Sequence, residues 1–291
     1  MIILKESKMV QTHIRELKNE GAIVSLVPTM GALHPGHLSL VKAGRKNSDV
    51  VGMSIFVNPS QFNDPNDYLK YPNTLENDIK LAEESGVDIL FTPSHNEIFG
   101  ENISIKQSGD FYGKTHLKAP SLSNALCGKS RPGHFDGVVT IVNILFNIFT
   151  PDIAIFGEKD FQQLQVIKKM VQDLKMGIEI IGAPTVREID NLAMSSRNSR
   201  LSAEGRYHAL YINQSLFKAR EIALSGEASA EKILNITTEN LVKSGGLEID
   251  YVQIFNENTL VDTDTIDKDS RIAVAVFCEG VRLIDNIKLL D

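Results

Sequence analysis

Residues 7 to 181 alternate between short continuous apolar runs and segments in which apolar residues recur at helical spacing. Short apolar runs are typical of strands buried in a parallel sheet, whereas the spaced pattern is typical of amphipathic helices. Because right-handed crossovers usually join such strands, the pattern predicts an α/β fold with a doubly wound parallel sheet. The predicted strands are residues 22–27, 50–57, 87–92, 153–156 and 178–181.

The first predicted helix carries signals at both ends. Ser7 is placed to cap it, and Gly21 is placed to end it. Val10 and Ile14 lie on its predicted apolar face. Further helices are predicted from residue 38, over residues 75–85 and 138–149, and from residue 161, with a short edge strand at residues 103–106.

The pattern changes after Arg187. Ser202 is placed to cap a long helix, and a second helix is predicted over residues 231–243. Strands are then predicted without helices between them, at residues 249–255, 272–277 and 281–287. Helices followed by consecutive strands are typical of a separate α+β domain. The sequence therefore predicts two domains, residues 1–186 and residues 187–291.

Composition and charge exclude several classes of protein. The 42% hydrophobic content allows a substantial core, and the net charge of -7 argues against a broad surface for nucleic acid or anionic lipid. The first residues lack the apolar stretch of a secretion signal, so a cytoplasmic location is expected. Cys127 and Cys278 are far apart in sequence, which argues against a disulfide framework and against a cysteine-rich zinc site.

The first candidate site is the histidine loop, which we define as residues 28–37. It joins a predicted strand to a predicted helix, where free amide N–H groups favour an anion. Gly31 and Gly36 allow close backbone approach, and His34 and His37 are spaced to share one side of the first helical turn. A phosphate cradle is the favoured interpretation. A zinc site is the alternative, although no third ligand lies nearby in sequence.

Three other loops carry polar side chains suited to phosphates or hydroxyl groups: residues 58–62, 157–163 and 194–197. Lys159 can neutralise a phosphate, and Arg197 offers a guanidinium fork beside two serine hydroxyls. The alternatives are a solvated surface lysine and a capped linker between domains. Two of these loops, like the histidine loop, follow predicted strands, so the three are expected to meet at one edge of the sheet.

All four blocks together closely resemble the pantothenate synthetase family. The blocks are residues 28–37, 56–62, 156–163 and 193–198, and the similarity spans most of the chain. The histidine loop alone would indicate only the broader HxGH group of nucleotidylyltransferases. The resemblance implies a Rossmann-like sheet with a smaller C-terminal α+β domain acting as a lid.

The resemblance also implies an ATP-dependent ligation in two steps. Pantoate and ATP would form pantoyl adenylate and pyrophosphate, and β-alanine would then displace AMP to give pantothenate. ATP would be the co-substrate, with Mg²⁺ bound to it and no protein ligand assigned to the metal. The enzyme would be a homodimer without nucleic-acid or membrane partners.

The resemblance assigns roles residue by residue. The catalytic set is His34, His37, Lys159, Ser196 and Arg197. The ATP-binding set is Met30, Gly31, His34, Gly36, His37, Gly157, Lys159, Asp160, Val186, Met194, Ser195, Ser196 and Arg197. The set for pantoate and β-alanine is Pro28, Thr29, Met30, Asn58, Gln61 and Gln163.

Two other functions remain open from the sequence. A nucleotidylyltransferase would join AMP to a phosphorylated acceptor and leave a stable dinucleotide. A regulatory module would bind a nucleotide without turnover. The identity of the product distinguishes both from the ligase.

Overall fold

The computed structural model describes residues 1–100, 111 and 114–290. These residues form two compact units. The N-terminal unit comprises Met1–Ser123, Arg131–Glu158 and Gln163–Pro184, and the C-terminal unit comprises Asn124–Ser130, Lys159–Gln162 and Thr185–Asp291. The edge strand predicted at residues 103–106 lies outside the described residues.

A six-stranded parallel sheet forms the centre of the N-terminal unit, which confirms the predicted fold class. Its order is β1-β4-β3-β2-β5-β6, so β2 pairs with β3 on one side and with β5 on the other. The chain reverses its direction of winding there, which is where open parallel sheets form a ligand crevice. The strands are β1 (Ile2–Leu4), β2 (Val24–Thr29), β3 (Val50–Ile55), β4 (Ile89–Phe91), β5 (Ile153–Gly157) and β6 (Glu179–Ala183).

Strand β1 is absent from the sequence prediction. It has three residues and pairs with only one neighbour, β4. Ile2 and Ile3 are 45% and 42% exposed, so a strand at the sheet edge shows neither a long apolar run nor a clear alternation. Such a short strand is specified by its pairing with β4 rather than by its own pattern.

The long helices that connect the strands lie where they were predicted, whereas the five-residue helices at Pro65–Leu69, His95–Phe99 and Leu126–Ser130 were not predicted. In chain order the helices are α1 (Ser7–Asn19), α2 (Pro35–Asn47), α3 (Pro65–Leu69), α4 (Leu75–Ser85), α5 (His95–Phe99), α6 (Leu126–Ser130), α7 (His134–Phe149), α8 (Phe161–Asp173), α9 (Ala203–Leu224) and α10 (Ala230–Val242). None of the helices in the described ranges has the length and apolar content needed to cross a membrane.

Two helix caps show how far local sequence decides a helix start. The predicted cap at Ser7 is wrong, because Glu6 precedes the helix and Ser7 N donates to Glu97 Oε1 at 2.8 Å. The predicted cap at Ser202 is confirmed, since its hydroxyl accepts a hydrogen bond from Gly205 N at 3.0 Å. A residue distant in sequence takes the capping role in the first case and not in the second.

The C-terminal unit contains the three predicted strands, and the structure pairs them as an antiparallel sheet. Its strands are β7 (Glu248–Asn256), β8 (Ser270–Cys278) and β9 (Val281–Lys288), in the order β7-β8-β9. Helices α9 and α10 cover this sheet with a core that includes Leu216, Ile233 and Val274. The two cysteines, Cys127 and Cys278, are buried and free.

Candidate active site

The histidine loop leaves the sheet at the carboxyl end of β2. Thr29 Oγ1 donates to Ser54 O at 2.7 Å and accepts from Gly31 N at 3.2 Å. Gly31 and Ala32 then have positive φ angles of 80° and 49°. Glycine adopts this conformation freely, but alanine does so at a cost. The strained residue therefore needs support from the surrounding structure.

Asp78 of α4 gives that support. Its Oδ2 accepts from Ala32 N at 2.9 Å, and its Oδ1 accepts from Leu33 N at 2.8 Å. Thr74 Oγ1 donates to Oδ1 at 3.1 Å, and the Asp78 residue is 1% exposed. Two amide groups of the loop are thus occupied by an internal carboxylate. The expectation that the loop offers free amides to an anion is wrong at these two residues.

A signal for Asp78 exists in the sequence. The predicted helix carries Leu75, Ile79 and Ala82 on its apolar face, and Asp78 falls among them at helical spacing. A carboxylate on a buried face needs hydrogen-bond donors. The pattern indicates that the Asp78 carboxylate accepts hydrogen bonds, but it does not identify the donors.

His34 organises the start of α2 with both its side chain and its backbone. It is the N-cap residue, and its Nδ1 accepts from Gly36 N at 3.2 Å. Its carbonyl accepts from His37 N at 2.8 Å and from Leu38 N at 3.2 Å. Because Nδ1 accepts, a neutral His34 ring carries its proton on Nε2. The ring can then donate from Nε2 while it caps the helix.

The structure brings the two histidines together, as their spacing predicts. The ring centroids of His34 and His37 are 4.0 Å apart, with an angle of 34° between the ring planes. The two rings therefore form one compact pair at the N-terminus of α2.

Asn58 and Gln61 form a polar turn after β3. Asn58 Nδ2 donates to Gln61 Oε1 at 3.0 Å and to Gly137 O at 3.1 Å, and its Oδ1 accepts from Ser60 Oγ at 2.8 Å. Gln61 Nε2 contacts Met30 Sδ at 3.0 Å. The structure thus joins three residues of the predicted pantoate set. The amide of Asn58 is engaged within the protein, so its contribution is to fix Gln61.

Helix α7 holds this turn from the other side. Gln61 O accepts from His134 Nδ1 at 2.7 Å and from Arg131 Nη2 at 3.0 Å. Gly137 lies so close that a Cβ atom there would be 2.5 Å from Ser60 O. These contacts come from residues at least seventy positions away in sequence, and the sequence analysis assigned none of them.

A cavity of about 390 Å³ lies beside the histidine loop in the N-terminal unit. Met30 and Asp78 border it, together with Tyr68, Thr92 and His95. Tyr68 Oη and His95 Nε2 are 3.3 Å apart. Burial lowers the pKa of His95 and raises the pKa of Tyr68, because it disfavours the charged form of each group. Both groups are therefore neutral hydrogen-bonding partners near neutral pH.

The lysine segment, residues 159–162, belongs to the C-terminal unit. Lys159 O accepts from Asn286 Nδ2 at 2.9 Å, and Asn286 Oδ1 accepts from Arg271 Nη1 at 2.7 Å. The Arg271 guanidinium also stacks 4.0 Å from the Phe161 ring centroid. Lys159 Nζ lies 4.0 Å from Asp160 Oδ2. The lysine backbone is therefore fixed by β8 and β9.

Two further members of the predicted sets lie near this segment in sequence, within the N-terminal unit. Gly157 ends β5, and a Cβ atom placed there would meet no heavy atom within 4 Å. Gln163 lies in the first turn of α8 and is half-buried.

A short hairpin presents the remaining predicted residues in the C-terminal unit. Met194 N donates to Val186 O at 3.0 Å, which brings two members of the predicted ATP-binding set together. Ser195 caps the turn Ser196–Arg200, because its hydroxyl accepts from Arg197 N at 3.3 Å. The capping half of the alternative interpretation, a capped linker between domains, thus describes Ser195 correctly.

Arg187 fixes the base of this hairpin. It pairs with Asp285 through both guanidinium nitrogens, at 2.7 Å and 3.1 Å. The Asp285 side chain is 1% exposed, so the pair is well shielded from water. A bidentate arginine–carboxylate pair is among the stronger charge-assisted contacts in proteins. The sequence analysis missed this pair because its members are 98 positions apart.

Comparisons with known proteins match this chain to one family over almost its whole length. The family model for pantoate-beta-alanine ligase matches residues 2–288. A pantothenate synthetase of Acetivibrio thermocellus is 46% identical over 287 residues, covering 99% of each chain. One of Syntrophotalea carbinolica is 44% identical over 291 residues, covering 100% of this chain and 99% of the relative.

Solved structures give the same result, and they match the fold described above. A pantothenate synthetase of Thermus thermophilus superposes with a TM-score of 0.91 at 38% identity, covering 100% of both chains. A pantoate-beta-alanine ligase of Francisella tularensis, described as complexed with beta-gamma ATP and beta-alanine, has a TM-score of 0.77 at 35% identity. That match covers 99% of this chain and 98% of the other. The chain belongs to the pantoate-beta-alanine ligase family and is a ligase that condenses pantoate with β-alanine to form pantothenate.

Proposed function

We propose that this ligase uses ATP and works in two steps, with a pantoyl-adenylate intermediate. The observation that carries the proposal is the pair His34 and His37, whose ring centroids lie 4.0 Å apart after the carboxyl end of β2. This strand lies at the switch point of the sheet, where a nucleotide is expected to bind. The ligands named for the Francisella tularensis structure support ATP and β-alanine as substrates.

In the first step, an oxygen of the pantoate carboxylate attacks the α-phosphorus of ATP and pyrophosphate leaves. The step needs no protein nucleophile, because the carboxylate is itself the attacking group. Catalysis then consists of holding the reactants in line and stabilising charge on the departing phosphates. We assign this role to the proposed catalytic residues His34, His37, Lys159, Ser196 and Arg197.

Gln61 is the proposed centre of pantoate binding. An amide nitrogen carries two hydrogens, so Gln61 Nε2 can contact Met30 Sδ and still donate to a substrate oxygen. Asn58 fixes the other end of the Gln61 amide, which sets its orientation. The proposed pantoate and β-alanine residues are Pro28, Thr29, Met30, Asn58, Gln61 and Gln163.

The proposed ATP-binding residues are Met30, Gly31, His34, Gly36, His37, Gly157, Lys159, Asp160, Val186, Met194, Ser195, Ser196 and Arg197. Within residues 1–100, 111 and 114–290, no group of three or more His, Cys, Asp or Glu side chains is placed to hold a metal ion. We propose that Mg²⁺ enters bound to ATP, because this ion prefers phosphate and water ligands.

In the second step, the neutral amine of β-alanine attacks the acyl carbon of the adenylate. A C–N bond forms, the acyl–phosphate C–O bond breaks, and AMP leaves while the nitrogen loses a proton. The adenylate would be hydrolysed by water, so we propose residues 187–291 as a lid domain over the ATP- and pantoate-binding domain of residues 1–186. A cytoplasmic homodimer is the proposed form of the enzyme.

Isotope exchange tests the two-step scheme. The enzyme should exchange labelled pyrophosphate into ATP when pantoate is present and β-alanine is absent. Complete mixtures should give equal amounts of AMP and pantothenate. Exchange that needs β-alanine would contradict the adenylate, a stable AMP-containing dinucleotide would indicate a nucleotidylyltransferase, and nucleotide binding without AMP formation would indicate a regulatory module.

A further inference from the structure

Two carboxylates hold the two ends of β2, and they differ in burial and in position. At the amino end, Asp152 Oδ2 accepts from Val24 N at 2.9 Å, and its Oδ1 pairs with Lys18 at 2.8 Å. After the carboxyl end, Asp78 accepts from two successive amides of the histidine loop. The Asp152 side chain is 39% exposed, whereas the Asp78 residue is 1% exposed.

The segment that Asp78 holds has the form of an anion site. Successive backbone N–H groups that converge around left-handed residues form a concavity, or nest, that binds anions. Gly31 and Ala32 have that conformation, and the amides of Ala32 and Leu33 point at the two carboxylate oxygens of Asp78. The anion in this nest is a side chain of the protein.

An occupied nest changes where a phosphate can bind. The Asp78 carboxylate takes the amides and places a negative charge there, which repels another anion. A phosphate arriving at the loop is thereby directed to the imidazoles of His34 and His37, which follow immediately in the chain. The carboxylate also fixes the positive φ of Ala32, on which the path of the chain to His34 depends.

We infer that Asp78 is a positioning residue for the adenylation step, acting by filling the backbone nest of the histidine loop. The inference rests on the proposed function, because it assumes that the two histidines stabilise charge on ATP. Asp78 touches neither substrate in this role. It acts through Ala32 and Leu33, and its loss should lower turnover by letting the histidines move from their productive positions.

The cavity beside the loop provides an unusual test. Asp78 borders this space of about 390 Å³, so removing its carboxylate opens the nest toward a volume that a small anion can enter. Formate has the same two oxygens as the lost group. In an Asp78→Ala variant, formate should therefore occupy the nest and restore part of the lost turnover.

The experiment compares five variants by kcat and KM in pantoate-dependent pyrophosphate exchange, with thermal unfolding followed by circular dichroism. Asp78→Asn keeps the shape but leaves one backbone donor facing an NH₂ group, and should lower kcat at least tenfold. Asp152→Asn removes the matched carboxylate at the other end of β2 and should leave kcat within twofold. Sodium formate should raise the kcat of Asp78→Ala several-fold over sodium chloride at equal ionic strength, and should not rescue His37→Ala.

Each outcome decides the inference. Folded Asp78 variants with kcat within twofold of the wild type would overturn it, as would an equal loss in Asp152→Asn. Thr74→Val covers the case in which Asp78 variants do not fold, since it removes only the hydroxyl that donates to Oδ1 and should lower kcat about threefold. An unchanged kcat in that variant would then overturn it. Absence of exchange in the wild type would instead overturn the proposed function.

Discussion

The histidine loop and the lysine segment are both chemically rich turns, but the protein supports them differently. The histidine loop is held within the N-terminal unit by Asp78, 46 residues after Ala32. Lys159 is held within the C-terminal unit by Asn286, 127 residues later. The residues that carry the chemistry are adjacent in sequence, whereas the residues that hold them are distant. A motif therefore identifies the reaction, and long-range contacts decide its geometry.

The two supports also differ in strength. A buried carboxylate that accepts two amide hydrogen bonds makes charge-assisted contacts, which are roughly twice as strong as neutral ones. Asn286 gives Lys159 one neutral hydrogen bond, although Arg271 reinforces it. The comparison therefore predicts that removing the support of the histidine loop lowers kcat more than removing the support of the lysine segment.

The largest expected effect is at the histidine pair itself. His37→Ala should lower the kcat of pantoate-dependent exchange about a hundredfold, or ~2.7 kcal/mol, because it removes a contact that strengthens in the transition state. Helix α2 should stay folded, since its cap is His34. The matched control is His13→Ala, a partly exposed histidine on α1 whose loss should not change kcat. Near-normal turnover in His37→Ala would remove this residue from the mechanism.

Much of this arrangement could be predicted from the sequence, for a physical reason. The parallel sheet, the long helices and the C-terminal strands follow from apolar spacing, which reports burial directly. The proximity of His34 and His37 was predicted from their spacing of three residues, although His34 is the extended N-cap residue of α2 and not part of the helix. Strand β1 and the Ser7 cap failed because partners distant in sequence, β4 and Glu97, decide them.

The supports of the site show the same limit. Asp78 is visible as a carboxylate on an apolar helix face, but its donors lie in another loop. Asn286 lies in a predicted strand and Arg271 lies one residue before another, and neither strand pattern indicates that the two side chains meet. Helix α6 was not predicted, because its five residues are too few to show a helical period.

The next effect concerns the turn that carries Gln61. In Gly137→Ala the new Cβ atom would lie 2.5 Å from Ser60 O, so either α7 or the turn must shift. We expect a loss of about 2 kcal/mol in the free energy of unfolding, together with a higher KM for pantoate. Gly177→Ala is the control, because its Cβ atom would meet nothing within 4 Å. Urea unfolding and exchange kinetics measure the two effects, and equal behaviour of the two variants would refute the close-packing argument.

A smaller effect is expected at the support of the lysine segment. Asn286→Ala removes the hydrogen bond to Lys159 O and should lower the kcat of exchange about fivefold, or ~1 kcal/mol. Asn286→Asp keeps an acceptor for Arg271 but loses the donor to Lys159, so it should show a similar loss of kcat. A loss in either variant that exceeds the loss in Asp78→Asn would reverse the order of the two supports.

The smallest expected effect is a pH dependence of the free energy of unfolding, caused by His95 beside the histidine loop. Burial lowers the pKa of His95 below its ordinary value of 6.5, so between the two values the unfolded chain binds more protons than the folded one. The His95 contribution to stability is therefore complete above pH 6.5 and falls as the pH drops through the folded pKa. Tyr68, Phe56 and Phe99 surround the ring, and none of them carries a positive charge that would change the direction of this pH dependence.

In His95→Gln, the loss of urea resistance between pH 7 and pH 5 should be smaller than in the wild type, whereas an equal loss would show that His95 does not contribute.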